Sequence, residues 1–135
     1  VFPIEVLDLE LLNFLHLDGN QLTSIPTGID NLTSLLQIKL NNNQLASIPS
    51  SFGNLTALSH LFLQDNQINN LPNEIGDMTN LTVLDLKNNN LTTIPSTIAN
   101  LKDNLKILYL TGNNLDEDTK TNLATWLPNT NIELD

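Results

Sequence analysis

The sequence predicts an α/β solenoid with a parallel β-sheet lining one face and short helical turns or extended segments on the other. Three observations carry this. Five prolines, Pro3, Pro26, Pro49, Pro72 and Pro95, stand 23 residues apart. An L-x-L step, or I-x-L at Ile38-Lys39-Leu40, precedes each of the last four and recurs at Leu108-Tyr109-Leu110. An asparagine follows each such step, at Asn20, Asn43, Asn66, Asn89 and Asn113. A fixed period of this length is the mark of a repeat array in which each unit stacks on the next to bury a shared core.

The elements follow in order. Val1 to Leu11 reads as the back half of a repeat without its strand, since Phe2-Pro3 matches Ile25-Pro26 and Val6 matches Ile29. This predicts a piece of a longer array or a processed precursor, with no polar terminal cap at this end. Repeat units then start at Leu12, Leu35, Leu58, Leu81 and Leu105. The last interval is one residue longer, with the extra residue in Lys102-Asp103-Asn104, a loop where insertion costs little. Within each unit the alternation is that of a half-buried strand, with Leu15 and Leu17, Ile38 and Leu40, Leu61 and Leu63, Leu84 and Leu86, and Leu108 and Leu110 pointing inward. The asparagines are placed to satisfy backbone groups where the chain turns in after each strand. Proline then fixes the return path and bars a long helix. Ile29, Phe52, Ile75 and Ile98 pin the outer side, and Leu32, Leu55, Met78 and Leu101 close each turn.

The skeleton L-x-x-L-x-L-x-x-N-x-L-x-x-I-P-x-x-I-x-N-L, as in Leu35 to Leu55, resembles the leucine-rich repeat family over nearly the whole chain. The resemblance implies a concave parallel sheet whose variable positions meet a protein partner. It divides the chain into repeats over 1–115 and a closing segment over 116–135. There Asp116 to Leu127 reads as a helix, with Asp116 at its N-cap, Leu123, Trp126 and Leu127 on one face, and Pro128 ending it. Ile132 and Leu134 return toward the sheet, in an ending similar to that of some bacterial members of the family.

Composition narrows the function. Fifteen acidic residues against five lysines give a net charge of −10, which repels nucleic acid and anionic membranes and attracts a basic protein surface. With no cysteine there is neither a disulfide framework nor a zinc-thiolate site. No apolar run approaches the ~20 residues that span a bilayer. The chain carries no phosphate-binding glycine loop, no G-x-S-x-G and no H-E-x-x-H. The histidines, His16 and His60, fall two strands apart, about 10 Å, which is too far for one metal bound at ~2 Å. The acidic run Asp116-Glu117-Asp118 lacks the alternating ligands of a calcium loop. Neither catalytic residues nor a cofactor or metal site is expected. Of the sequons at Asn31, Asn54, Asn80 and Asn90, the first two fall where the repeat itself writes N-L-T, which weakens a glycosylation reading.

The outward strand positions remain. The first column reads Phe14, Gln37, His60, Val83 and Ile107, and the second His16, Lys39, Phe62, Asp85 and Tyr109. A third reads Asp18, Asn41, Gln64, Lys87 and Thr111. Three of the six aromatic residues and both histidines lie in the first two columns. Aromatic rings on an exposed sheet are effective protein anchors. The expected partner-binding residues are Phe14, His16, Gln37, Lys39, His60, Phe62, Asp85, Lys87 and Tyr109. Two other readings compete with this one. One is a structural or surface-display segment of a larger repeat protein. The other is ice or carbohydrate binding through the Thr33, Thr56 and Thr79 column, which lacks a regular threonine neighbour at Ser34, Ala57 and Asn80.

Overall fold

The computed structural model describes residues 1–135. Its organising element is a parallel sheet in simple chain order, β1 (Phe14–His16), β2 (Gln37–Lys39), β3 (His60–Phe62), β4 (Val83–Asp85), β5 (Ile107–Tyr109) and β6 (Asn131–Glu133). Each strand has only three residues, beginning two after the start of its sequence unit. The register is unbroken, so Leu15, Ile38, Leu61, Leu84, Leu108 and Ile132 form one row on the inner side.

The prolines shape the opposite side as the period demands. Each return is a 3-10 helix: Ile4–Asp8, Thr27–Asn31, Ser50–Asn54, Asn73–Asp77 and Ser96–Leu101. Proline cannot donate, but its carbonyl starts the turn. Pro26, Pro49, Pro72 and Pro95 accept from Ile29, Phe52, Ile75 and Ile98 at 3.0–3.1 Å. Those apolar residues are fully buried, so one residue both closes the turn and fastens it to the core. The inserted residue is absorbed here. The fifth return is one residue longer, and Lys102 after it stays helical where Leu32, Leu55 and Met78 are not.

The asparagine column works as a ladder. Asn43 Oδ1 accepts from Leu22 N–H at 3.0 Å, while its Nδ2 donates to Leu17 O and Leu40 O at 3.0 and 2.9 Å. Asn66 and Asn89 repeat the pattern, and so does Asn113. One side chain thus satisfies three backbone groups from two repeats at the inward turn. The residue before each asparagine has positive φ, and the chain supplies Gly19, Asn42, Asp65, Asn88 and Gly112, the residue types that tolerate it.

Helix α1 (Glu117–Trp126) follows the fifth repeat. Asp116 caps it, accepting from Thr119 N–H at 2.7 Å, and this bond holds its carboxyl below the usual range. Leu123 and Leu127 are buried in the common core, and Trp126 packs partly against it. β6 then pairs with β5, and the Asp135 carboxylate accepts from Gly112 N–H at 2.8 Å, replacing the backbone carbonyl that the next repeat supplies elsewhere.

Candidate functional site

The concave face is built by the outward residues of the strands. The strand register lines up Phe14, Gln37, His60, Val83, Ile107 and Asn131, and beside them His16, Lys39, Phe62, Asp85, Tyr109 and Glu133. At about 4.8 Å per strand, the two columns run some 24 Å from β1 to β6. The outward residues of β6, Asn131 and Glu133, lengthen the columns beyond the sequence reading. Their signal was present: Ile132 stands 24 residues after Leu108, and Ile132 and Leu134 alternate with polar neighbours.

The side chains fall into local groups. His16 Nε2 meets Gln37 Oε1 at 2.7 Å. His60 stacks on Phe62 with ring centroids 6.3 Å apart, and its Nδ1 meets Ser59 Oγ at 2.8 Å. Lys39 Nζ lies 6.0 Å from the centre of the Phe62 ring. On the next two strands Lys87 Nζ sits 4.6 Å over the Tyr109 ring and 3.6 Å from Asp85 Oδ2. Lys87 also donates its backbone N–H to Asp85 Oδ1 at 3.1 Å.

Burial differs sharply across the face. Phe14 is 58% exposed, whereas Asp85 is only 4% exposed. A carboxylate under cover is costly, and burial pushes the Asp85 carboxyl up from its usual value, against the opposing pull of the Lys87 N–H and ammonium. Beside this cluster, on the preceding strand turn, the side-chain oxygen of Gln64 is sealed from solvent and has no hydrogen-bond partner. No three His, Cys, Asp or Glu side chains group as metal ligands. The surface depressions lie elsewhere: two by the first return, lined by Val1, Gln21 and Leu22 among others, one along Asp8 to Leu12, and two beside α1 and the C-terminal strand.

Profiles of the leucine-rich repeat family match residues 10–68, 65–115 and 104–129. The chain belongs to the leucine-rich repeat family, whose fold is typically a non-enzymatic interaction scaffold. No curated protein sequence matches it. Among solved structures, it is similar to a leucine-rich repeat protein of Leptospira interrogans, at 33% identity and a TM-score of 0.76 over 98% of this chain and 40% of that one. It is similar also to a plant peptide hormone receptor, RGFR1, solved in complex with RGF2, at 32% identity and a TM-score of 0.83 over 99% of this chain and 22% of that one. A third is the ectodomain of the Arabidopsis thaliana receptor kinase GASSHO1/SCHENGEN3 in complex with CASPARIAN STRIP INTEGRITY FACTOR 2, at 34% identity and a TM-score of 0.70 over 82% of this chain and 14% of that one. The chain therefore spans well under half the length of each of these proteins.

Proposed function

We propose that this chain binds a protein or peptide partner across its concave face, through Phe14, His16, Gln37, Lys39, His60, Phe62, Asp85, Lys87 and Tyr109. The observation that carries the reading is the pairing of lysines with half-exposed aromatic rings, Lys39 with Phe62 and Lys87 with Tyr109. None of these four side chains belongs to the buried core, so the fold does not dictate them. Rings held by their neighbours lose little freedom on binding, which suits them as anchors. Two similar structures are receptors solved with the ligands RGF2 and CASPARIAN STRIP INTEGRITY FACTOR 2, which supports a peptide as partner. The charge of −10 steers a basic partner toward the chain. The partner makes its contacts without any catalytic step.

The test is selection of random twelve-residue displayed peptides on the folded chain, followed by affinity measurement against a Phe62→Ala/Tyr109→Ala variant. The reading predicts that most selected peptides lose binding to that variant. Peptides that all bind it as they bind the parent chain would remove the concave face from the function.

A further inference from the structure

The cluster on β3 to β5 carries a more specific inference, which rests on the concave-face reading. We propose that Phe62, Asp85 and Tyr109 form an anchor for an arginine side chain of the partner, and that the part of Lys87 in binding is to fill this anchor in the free chain and yield it to the partner.

Asp85 stands in register between Phe62 and Tyr109, so its carboxylate has an aromatic residue on either side. A covered carboxylate needs partners, and here every direct one comes from Lys87. The N–H of Lys87 serves Oδ1 at 3.1 Å. The ammonium stands 3.6 Å from Oδ2, well beyond the ~2.7–2.9 Å of a charge-assisted hydrogen bond. Oδ2 therefore keeps its accepting capacity, and a carboxylate can take about four hydrogen bonds. The same ammonium lies over the Tyr109 ring, so a ring and a carboxylate already converge on one positive charge. Lys87 marks what the site holds. Its side chain is 37% exposed, which leaves it room to yield.

The unpartnered Gln64 oxygen belongs to the column position beside Lys87, on the turn where Asp65 N–H donates to Lys87 O at 2.9 Å. A lysine carries three donors on a single point, while an arginine presents five in a planar fork that also stacks on rings. Arginine is thus the side chain that can meet Oδ2 and lie against Tyr109 together, in the place that Lys87 gives up. The surrounding charges agree: Glu133 is the register neighbour of Tyr109, and Asp65 lies close enough to raise the Asp85 carboxyl further. Lys39, over Phe62, is the opposing cation on the far side.

The experiment uses the selected peptides that depend on Phe62 and Tyr109. Each basic residue is replaced in turn by citrulline, an uncharged analogue of arginine, and affinities are measured on the parent chain, on Asp85→Asn and on Lys87→Ala. One arginine per peptide is expected to lose at least tenfold on the parent chain when replaced. The same replacement is expected to change affinity less than twofold on Asp85→Asn, and Lys87→Ala is expected to tighten the arginine peptide several-fold. Peptides that need Phe62 and Tyr109 yet carry no such arginine would overturn the anchor and leave concave-face binding standing. An equal citrulline loss on Asp85→Asn, or a Lys87→Ala variant that binds no tighter, would overturn it as well. If no peptide depends on Phe62 and Tyr109, both readings fail.

Discussion

The first and fourth repeats share one sequence skeleton and a buried core, and differ in the surroundings of their asparagine and of their second-column residue. In the first, Asn20 is exposed and bonds only to Leu17 O and Asp18 O, and His16, the counterpart of Asp85 in its column, is open to solvent. In the fourth, Asn89 is buried and joins four backbone groups, and Asp85 lies beneath its neighbours. A position in the repeat sets which way a side chain points. The flanking repeats decide how deeply it lies and what it touches. In a quasi-one-dimensional array this is the expected division, because each unit contacts only its neighbours.

That contrast can be tested at matched positions. The largest effect is expected in the core: Leu84→Ala, in the middle of the sheet, should cost about 3–5 kcal/mol, while Leu11→Ala, 87% exposed beside β1, should cost no more than about 0.5 kcal/mol. Chemical denaturation of both variants decides this. Next, Asn89→Ala orphans buried backbone groups and should cost about 2–3 kcal/mol, against little for Asn20→Ala. Equal losses at the two asparagines would mean the ladder is not what stabilises the turn.

A smaller difference is expected at two glycines of like conformation. Gly19 and Gly112 have φ of 68° and 74°, so alanine is strained at both. At Gly19 nothing lies near the added methyl, and the cost should be about 1 kcal/mol. At Gly112 the methyl meets the Asn88 side chain, and the cost should rise to about 2–3 kcal/mol.

The smallest effects concern acid. Asp116 has a lowered carboxyl value in the fold, so its contribution is present above the ordinary carboxylate value and is lost as pH falls through the lowered one. Asp85 has a raised value, so its folded form binds a proton more readily, and its contribution improves as pH falls from the raised value toward the ordinary one. Melting temperature followed from pH 7 to pH 3 should therefore fall less steeply for Asp116→Asn than for the parent, and more steeply for Asp85→Asn.

The repeat made much of this legible. Prolines, strand leucines and asparagines announce themselves by spacing, and the two outward columns follow from the register they imply. β6 was only partly legible: the alternation of Ile132 and Leu134 returns the chain toward the sheet, but the L-x-x-L skeleton ends at Leu115 and does not carry the columns on to Asn131 and Glu133. The burial of Asp85 was not legible at all. It depends on the side chains of adjacent strands and on a lysine two residues along that folds back over a ring.

Function turns on which face of the solenoid meets the partner. The direct measurement is calorimetric titration of a selected peptide against Phe62→Ala/Tyr109→Ala and against Glu74→Ala/Asn100→Ala, a pair of exposed positions on the convex returns. The concave pair should weaken binding by about a hundredfold, as loss of two aromatic anchors does, and the convex pair should leave it within about twofold of the parent chain. Binding that survives the concave changes and is lost with the convex ones would contradict the account.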